Sequence, residues 1–450
     1  QLKKSDNKHV DRFLSTRLEW NEFADLLALI KRLDCISICT PFDEASVSRV
    51  VEMGFDAIKV ASCSATDWPL LEAVSRSQLP AIISTGSLSI EQIDDVVSFF
   101  SHRGCDFGLM HCVSIYPTAP SDCNLRNISM MQERYPGVAI GWSTHEDPDS
   151  VYPAVVARTL GAAMLERHVG IKTSAISLNS YSSTPEQVTK WLQAIKSADQ
   201  LSGSYSRLAA SGEESESIQA LQRGVFLKNN MEAGQVLSSE DVYFAFPVSS
   251  DGITAGRFIE GSVIKTSVLE DQALTPENLE IPSASTASVL KNAIHDVKAM
   301  LNHSRITLGS EFYVEYSHHY GVENFRETGV VLITVINREY CKKILVQLPG
   351  QAHPMHFHKR KEETFLVVSG SLFSEVDGRV RKLHPGDTQL VLPGVWHRFW
   401  SEDGCVFEEI STTHYPNDSV YKDPEINLLQ NSQRKTVVDN WGRFQLLDGQ

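Results

Sequence analysis

The stretch of sequence that decides the fold runs from Cys35 to Gly170 and contains six short apolar runs, each followed by an amphipathic segment. The runs end in small polar or ionisable residues, and these ends read Ser37-Ile38-Cys39-Thr40-Pro41-Phe42, Lys59-Val60-Ala61-Ser62, Ser84-Thr85-Gly86, His111-Cys112-Val113-Ser114-Ile115-Tyr116-Pro117, Gly141-Trp142-Ser143-Thr144-His145 and Glu166-Arg167-His168. Strands buried on both faces read as continuous apolar runs, and their alternation with helices implies a parallel sheet. The sequence therefore predicts strands near 35–40, 56–62, 80–85, 107–114, 137–143 and 162–168.

Six strand–helix units are two short of the eight that close a (β/α)8 barrel. The chain starts at Gln1 rather than at a methionine, and its first strand-like run appears only near Cys35. We therefore predict an α/β fold over residues 1–202, a TIM barrel whose first two units are absent from this chain. An open six-stranded sheet is the alternative. In a closed barrel the chemistry lies at the carboxyl ends of the strands.

The composition restricts the kinds of protein that this chain can be. Its 450 residues predict about three domains, at roughly 150 residues per domain. A net charge of −15 argues against a nucleic-acid partner or an anionic membrane surface, because both attract basic patches. The eight cysteines include no C-x-x-C pair, and no apolar stretch is long enough to span a membrane. We therefore predict a reducing, cytoplasmic location.

One ammonium group and several hydroxyl groups follow neighbouring predicted strands. Lys59 is unusual at the end of a buried strand, because lysine is rarely buried without a partner. Together with the hydroxyls of Thr40, Ser62, Ser84 and Ser143 it predicts a cradle for a dianionic phosphate. Each hydroxyl taken alone is equally consistent with a cap on a helix N-terminus.

Two histidines end neighbouring predicted strands. His145 and His168 would place two imidazoles side by side at the mouth of the barrel, and two neutral imidazoles suit a divalent ion such as Mn²⁺ or Zn²⁺. Such an ion polarises a carbonyl group as a Lewis acid. Glu166, two residues before His168, would reinforce the site. A histidine that only packs and donates a hydrogen bond is the alternative.

From Thr40 to His168 the order and spacing of these motifs resemble those of the sialic acid synthases. That family condenses phosphoenolpyruvate with an N-acylated aldose to give a 2-keto sugar acid. The resemblance implies that phosphoenolpyruvate is bound by Thr40, Lys59, Ser62, Ser84 and Ser143. It also implies a divalent metal, foremost Mn²⁺, on His145 and His168, and substrate contacts from Tyr116 and Ser114. The catalytic residues that we expect are therefore His145, His168, Lys59, Tyr116 and Glu166.

The chain departs from the family pattern at two places. Cys63-Ser64 stands where the family usually carries Gly-Glu, so a carboxylate of the site is missing. The stretch Leu178-Asn179-Ser180-Tyr181-Ser182 stands where the family usually carries a Gly-Pro-Asp-His contact to the sugar. The phosphate and metal half of the site is thus better supported than the sugar half.

After a predicted linker at 203–217, a small β-rich segment covers residues 218–281 and resembles the antifreeze-like (SAF) domain of the same family. That resemblance implies a domain-swapped homodimer in which an arginine reaches the sugar site of the partner. The matching position here reads Ala245-Phe246-Pro247, so the arginine is not matched, and Arg257 lies nearby without a motif. A structural cap without ligand contact is the alternative.

The segment 282–450, predicted to be an all-β barrel, carries a sharper motif. The spacing of Gly350, His356, His358, Glu363 and Gly370 fits the first cupin motif. A second cupin motif ends at His397 and departs from the common pattern only at Leu392. Residues i and i+2 of a strand share a face, so both histidines of the first motif point inward. His356, His358, Glu363 and His397 therefore predict a site for Mn²⁺, Fe²⁺, Ni²⁺ or Zn²⁺.

The surroundings of this motif resemble the D-lyxose isomerase type of cupin. The resemblance implies exchange of an aldose and a ketose through a metal-bound enediol, with Lys343, Glu408 and Glu409 as unranked acid–base candidates. The charged run Lys359-Arg360-Lys361-Glu362 is predicted to be a solvated turn.

The leading hypothesis is a phosphoenolpyruvate-condensing enzyme of sialic-acid-like sugar biosynthesis, acting on an amino-sugar-derived aldose and fused to a sugar-facing cupin. The rivals are an isomerase in which only the cupin works and a regulator that binds sugar or phosphate without turnover.

Overall fold

The computed structural model describes residues 10, 14, 16–174, 177–204, 207–282, 286–309 and 312–438. The ends of the first and last predicted domains, residues 1–9 and 439–450, lie outside the described residues. The chain divides into two compact units, residues 1–209 and 210–450, and each contains hydrophobic core of its own.

The first unit contains a six-stranded sheet whose strands follow one another in chain order. They are β1 (Ile38–Cys39), β2 (Ala57–Val60), β3 (Ala81–Ser84), β4 (Phe107–Cys112), β5 (Ala139–Thr144) and β6 (Met164–Arg167). Every neighbouring pair is parallel, and among the described residues β1 and β6 do not pair with each other. The prediction of an incomplete (β/α)8 barrel is confirmed as a curled, open sheet of six units. Only β5 passes its predicted end, by one residue.

Helices alternate with the strands in this unit, and several of them begin at a side-chain cap. They are α1 (Trp20–Arg32), α2 (Glu44–Met53), α3 (Trp68–Arg76), α4 (Ile90–His102), α5 (Asn127–Arg134), α6 (Tyr152–Thr159) and α7 (Pro185–Ser202). Ser89 and Gln92 form a capping box at the start of α4, and Thr184 and Gln187 form another before Pro185. These reciprocal bonds satisfy backbone N–H groups that a helix start leaves unpaired.

The two faces of the sheet have different roles. Ile58 and Val60 are fully buried in the core cluster that includes helix residues. The residues between them in sequence point to the opposite face, because side chains alternate along a strand. Lys59, Met110 and Glu166 line a concavity of about 1010 Å³ on that face. Of the predicted site residues, Thr40, Lys59 and Glu166 line this concavity.

The second unit begins with α8 (Gly212–Leu221), which starts inside the segment predicted as a linker. The Oγ of Ser211 accepts a hydrogen bond from Glu214 N at 3.1 Å and caps this helix. A Ser- and Glu-rich composition thus encodes a helix start here. Four short strands follow: β7 (Gly224–Leu227), β8 (Val242–Ala245), β9 (Val263–Ile264) and β10 (Leu279–Glu280). They form two antiparallel pairs around a small core of their own.

Helix α9 (Thr286–His303) leads into two larger antiparallel sheets. The seven-stranded sheet has the order β18-β15-β20-β13-β12-β11-β22, and the five-stranded sheet has the order β17-β16-β19-β14-β21. Their strands are β11 (Tyr313–Ser317), β12 (Val330–Asn337), β13 (Tyr340–Gln347), β14 (His356–His358), β15 (Glu363–Gly370), β16 (Leu372–Val376), β17 (Arg379–Leu383), β18 (Thr388–Val391), β19 (His397–Trp400), β20 (Cys405–Thr412), β21 (Ser419–Tyr421) and β22 (Lys435–Val438). Short helices α10 (Pro424–Leu428) and α11 (Asn431–Arg434) precede β22. The predicted all-β domain is confirmed.

The two sheets of this all-β part meet in an aromatic core. Phe365 of β15, Phe399 of β19 and Phe407 of β20 are buried and stand edge to face, with ring centroids 5.3–5.5 Å apart. Gly350 and Gly370 both adopt positive φ, which explains why the first motif requires glycine at these positions. Across the described residues, no helix has both the length and the apolar content that crossing a bilayer requires.

Candidate active site and metal centre

At the carboxyl edge of the curled sheet, Lys59 forms an ion pair with Glu166. The Lys59 Nζ atom lies 3.1 Å from Glu166 Oε2, and the lysine side chain is only 12% exposed. Thr40 lines the same concavity as both residues. Glu166 is therefore the partner that the largely buried lysine needs. It was expected to reinforce the metal site of the two histidines, and the structure places it in an ion pair with Lys59.

His145 and His168 lie side by side, as the spacing predicts. Their ring centroids are 5.2 Å apart, and Tyr116 contacts His145 at 4.2 Å. Sequence reasoning assigned no role to Tyr181, whose ring contacts Tyr116 at 5.1 Å and His168 at 5.0 Å. Its place in the loop after β6 was the available signal, because loops at the carboxyl ends of strands build such sites.

The hydroxyl groups of Ser62 and Ser114 converge on Gly86. Gly86 N donates a hydrogen bond to Ser62 Oγ at 3.0 Å, and a Cβ atom at Gly86 would lie 2.8 Å from that oxygen and closer still to Ser114 Oγ. A residue with a side chain at this position would push the two hydroxyls apart. Glycine is therefore required by close approach.

Ser84 and Ser143 are the buried members of the predicted set, with exposures of 2% and 4%. Within the described part of the chain, Ser84 Oγ has no hydrogen-bond partner. Ser143 is paired in register with Cys112 on one side and Glu166 on the other, so it sits between two other strand ends. All the predicted barrel residues therefore belong to one edge of the sheet.

His145 has the chemistry of a metal ligand. Its Nδ1 atom lies 3.0 Å from the Val113 carbonyl oxygen, which leaves Nε2 as the free ligand atom. Burial, together with the nearby His168 and Lys59, lowers the pKa of His145, so the ring is neutral near pH 7. Among the described residues the barrel pair completes no group of three metal-ligating side chains. This site therefore offers two imidazoles and leaves further positions to substrate or water.

In the second unit, His356, His358, Glu363 and His397 form a four-ligand cluster whose ligand atoms all lie within 4.8 Å of one another. His356 and His397 face each other in register between β14 and β19. Glu363 begins β15 of the other sheet. All four side chains are at most 5% exposed.

Each imidazole of the four-ligand cluster is held by its Nδ1 atom. His356 Nδ1 lies 3.0 Å from Pro354 O, and His397 Nδ1 lies 3.0 Å from Val395 O. His358 Nδ1 lies 3.2 Å from Ser419 Oγ. Such partners fix ring orientation and leave the three Nε2 atoms as ligands.

Comparison with known proteins identifies both segments. The NeuB family matches residues 1–207, and the Cupin domain matches residues 344–407, which include the four-ligand cluster. An uncharacterized protein of Methanocaldococcus jannaschii is 30% identical over 243 residues, which cover 54% of this chain and 71% of that protein. The chain belongs to the NeuB family. We call residues 1–207 the NeuB segment and the all-β part from α9 onward, 286–438, the cupin segment.

Two further relatives support the assignment of the NeuB segment. The N-acetylneuraminate-9-phosphate synthase of Drosophila melanogaster is 36% identical over 155 residues, or 34% of this chain and 41% of the synthase. The chain thus spans less than half the length of that synthase. A crystal structure from Chromobacterium violaceum, of a protein described as spore coat polysaccharide biosynthesis protein E, is 41% identical, with a TM-score of 0.59 over 62% of this chain and 83% of that one. The resemblance to sialic acid synthases is confirmed at the level of the family.

The donor set in the cupin segment fits a divalent metal. His397 Nε2 lies 2.8 Å from Glu363 Oε1, yet both atoms are buried without a well-formed hydrogen bond. Burial lowers the pKa of His356 well below its ordinary value and also lowers that of His358, so both rings are neutral ligands. An ion among these atoms would satisfy the unpaired oxygen and nitrogen together.

The prediction of a solvated turn at 359–362 is wrong for one residue. Lys359, Arg360 and Glu362 are exposed, but Lys361 is 3% exposed and its Nζ lies 2.5 Å from Glu363 Oε2. Lys361 stands two residues before Glu363, and this spacing was the signal that it faces inward. Burial opposes ionisation of Glu363, but Lys361 and His358 outweigh it and hold the pKa of this carboxyl well below its ordinary value.

The structure separates the three unranked acid–base candidates. Glu409 Oε1 accepts from Lys343 Nζ at 3.0 Å and from Lys361 Nζ at 2.9 Å inside the barrel. Burial opposes ionisation of Glu409, but the two lysines lower its pKa to about 2. Glu408 points the other way and pairs with Lys342 at the surface. Strand alternation thus leaves Lys343 and Glu409 beside the cluster and removes Glu408.

The cluster lines a cavity of about 40 Å³ that shares a wall with a larger cleft of about 560 Å³. The shared wall consists of His414, Ser419, Tyr421 and Lys435. The motif did not reveal Tyr421, which stacks on His356 with ring centroids 5.5 Å apart. Its hydroxyl lies 2.9 Å from His319 Nε2, so a second layer of polar groups supports the cluster.

Proposed function

We propose that the NeuB segment condenses phosphoenolpyruvate with an N-acylated aldose to form a sialic-acid-like 2-keto sugar acid. The observation that carries this proposal is the convergence, at one sheet edge, of the Lys59–Glu166 pair and the His145–His168 pair. A cation and hydroxyl groups suit the phosphate, and paired imidazoles beside them suit the carbonyl partner.

The residues of the chain hold the two reactants. Lys59 supplies the positive charge for the phosphate or carboxylate of phosphoenolpyruvate. Ser62 Oγ already accepts from Gly86 N, so its own hydrogen is free to be donated to a phosphate oxygen. The ring of Tyr116 packs beside His145, and the ring of Tyr181 packs beside His168.

A divalent metal held by His145 and His168 would polarise the aldehyde of the sugar. The C3 atom of phosphoenolpyruvate forms the new carbon–carbon bond with the aldehyde carbon, and the aldehyde oxygen takes up a proton. Water adds to C2 and gives up one proton, which balances the proton taken up by the aldehyde oxygen. Phosphate then leaves with the electrons of the C2–O bond and takes the remaining proton of the C2 hydroxyl group, so that C2 becomes a ketone. The products are the 2-keto acid and inorganic phosphate, so atoms and charges balance.

Phosphate release by the full chain tests this proposal. The chain is incubated with phosphoenolpyruvate, Mn²⁺ and a panel of N-acyl hexosamines with and without a 6-phosphate group. We expect phosphate release that depends on one of the sugars and stops on addition of EDTA. A chain that is folded by circular dichroism but releases no phosphate with any sugar in the panel contradicts the proposal.

A second function is favoured by the cupin segment. We propose that its four-ligand cluster holds a divalent metal and that Lys343 and Glu409 move protons on a sugar bound there. The buried Lys–Glu contacts at 3.0 Å next to the cluster support this role. Incubation of the Mn²⁺-loaded chain with aldoses should form ketoses, and the variant H356A should lose this exchange while it keeps phosphate release. Exchange at the wild-type rate in H356A contradicts the proposal.

A further inference from the structure

Arg434, at the end of α11, is a buried cation that lines the cleft beside the four-ligand cluster. Arg434 is only 7% exposed. One nitrogen, Nη2, donates to Asn431 Oδ1 at 2.9 Å. The other two, Nε and Nη1, have no hydrogen-bond partner among the residues that the structure describes. The buried guanidinium is therefore only partly satisfied.

No carboxylate of the described residues lies within ion-pair distance of Arg434. The other cation of the cleft, Lys435, already has a partner, since its Nζ lies 2.6 Å from Glu315 Oε1. His414 adds no charge, because burial lowers its pKa to about 3. Arg434, Lys435 and Glu315 together thus leave one positive charge uncompensated. Leaving a buried charge unpaired is costly, so a structural role alone does not account for it.

One aromatic ring connects Arg434 to the four-ligand cluster. The Arg434 guanidinium carbon lies 5.1 Å from the centre of the Tyr421 ring, and the same ring stacks on His356. Tyr421 and Lys435 line both the cleft and the cavity of the cluster. The Tyr421 ring therefore lies between the Arg434 end of the cleft and the cluster, in the wall that the cleft and the cavity share.

We propose that this cleft is an anion subsite, in which Arg434 and Lys435 bind the carboxylate or phosphate of an acidic sugar beside the four-ligand cluster. The inference rests on the proposed role of the cupin segment as a metal-dependent sugar site, and it names the class of sugar. The unsatisfied Nε and Nη1 atoms of the guanidinium can each donate a charge-assisted hydrogen bond to an oxygen of a carboxylate or phosphate. A neutral sugar leaves the charge of Arg434 unpaired.

Calorimetric titration of the full, Mn²⁺-loaded chain tests the inference with three probes: D-glucose, D-glucuronate and D-glucose 6-phosphate. They share one ring and differ in the group at C6, so the two acidic probes distinguish carboxylate from phosphate. We expect at least one acidic probe to bind about 10- to 100-fold more tightly than glucose, which is the range for a hydrogen-bonded charge pair. In R434Q this preference should disappear, whereas affinity for glucose should change less than about twofold. The control R379Q removes an exposed arginine from β17 of the same segment and should keep the preference.

Because the NeuB segment is also proposed to bind Mn²⁺, the Mn²⁺ that R434Q binds and the double variant R434Q/H397A does not bind reports whether the cupin segment is intact. Where R434Q does not fold, R434K is used instead, because it keeps the charge and should retain a smaller preference for the acidic probe. The comparison of acidic and neutral probes on the wild-type chain tests the proposal without any variant. Equal affinity of the wild-type chain for all three probes overturns the inference while Mn²⁺ binding leaves the proposed metal site standing. A preference that survives in a Mn²⁺-binding R434Q also overturns it. Phosphate release from phosphoenolpyruvate is measured on the same variants, so a failure of the NeuB proposal is seen separately.

Discussion

The NeuB segment and the cupin segment both gather histidines, but they hold them differently. In the NeuB segment the groups stand at the ends of successive parallel strands, with His168 exposed and Tyr116 half exposed. In the cupin segment the four ligands come from only three strands and are all buried. Each cupin imidazole is also anchored through Nδ1.

The two folds position their site residues by different means. An antiparallel pair fixes two histidines opposite each other by register, as His356 and His397 show. A parallel edge only brings strand ends together and leaves them open to solvent, so substrate or metal must complete the constellation. The cupin cluster is therefore preorganised, and the NeuB edge is built to be completed.

Acidification should separate the two segments most strongly. Burial lowers the pKa of His319 and that of His414 to about 3, and lowers that of His353 well below its ordinary 6.5. Below pH 6.5 these histidines are protonated in the unfolded chain but stay neutral in the folded cupin segment. The free energy of unfolding of the cupin segment therefore falls as the pH falls toward 3. Three such groups together give a slope of up to about 4 kcal/mol per pH unit.

Hydrogen exchange of the metal-free chain between pH 7 and 4.5, corrected for the intrinsic rate, measures this slope by region. Peptides from β13 and β20 should lose protection faster than peptides from β2 and β4. In the NeuB segment burial lowers the pKa of His111 and that of His145. Equal losses in the two segments would remove the contrast.

Replacement of Lys361 by methionine should destabilise the cupin segment by about 3–5 kcal/mol, because it leaves Glu363 and Glu409 buried without the cation between them. Urea unfolding of the full chain measures the change. The matched control K359M removes an exposed lysine two residues away and should stay within about 0.5 kcal/mol of the wild type. A K361M variant as stable as K359M would show that the buried charges relax.

The variant H397A should weaken metal binding at the cupin segment by about 100-fold or more, since loss of a ligand costs at least as much as loss of its supporting partner. Calorimetric titration with Mn²⁺ or Zn²⁺ and elemental analysis of the purified chain provide the measurement. H384A removes an exposed histidine of the same segment and should bind metal normally. Unchanged affinity in H397A would exclude the cluster as the site.

The smallest effect is expected at the open NeuB edge. K59M should lower kcat/KM for phosphoenolpyruvate by about 10- to 100-fold, because it removes the only charge-assisted hydrogen bond that we assign to the phosphate. The KM for the aldose should change little. K196M, on the exposed face of α7, is the control for charge. Equal activity of K59M and K196M would show that the anion lies elsewhere.

Regular patterns made most of the fold predictable. Apolar runs located all six parallel strands, and the caps at Ser89 and Thr184 located their helices. The four ligands of the cupin segment came together because strand alternation and motif spacing determine their positions. In each case the signal is local in sequence.

The remaining features depend on contacts between distant residues. Lys361 stands in a charged run whose composition favours solvent, and only its partners Glu363 and Glu409 explain its burial. Tyr181 reaches the two imidazoles from a loop with no motif, and Arg434 reaches the cleft from a four-residue helix directly before β22. The Ser- and Glu-rich composition of residues 203–217 predicted a linker, and the structure shows that α8 begins within it. Such placements follow from packing, which a single sequence does not display.

The four-ligand cluster draws on both sheets of the cupin segment: three imidazoles belong to the five-stranded sheet, and Glu363 belongs to the seven-stranded one. A bound ion would consequently crosslink the two sheets. Binding of metal would then stabilise the contact between the two layers, and removal of the metal by a chelator would weaken that contact.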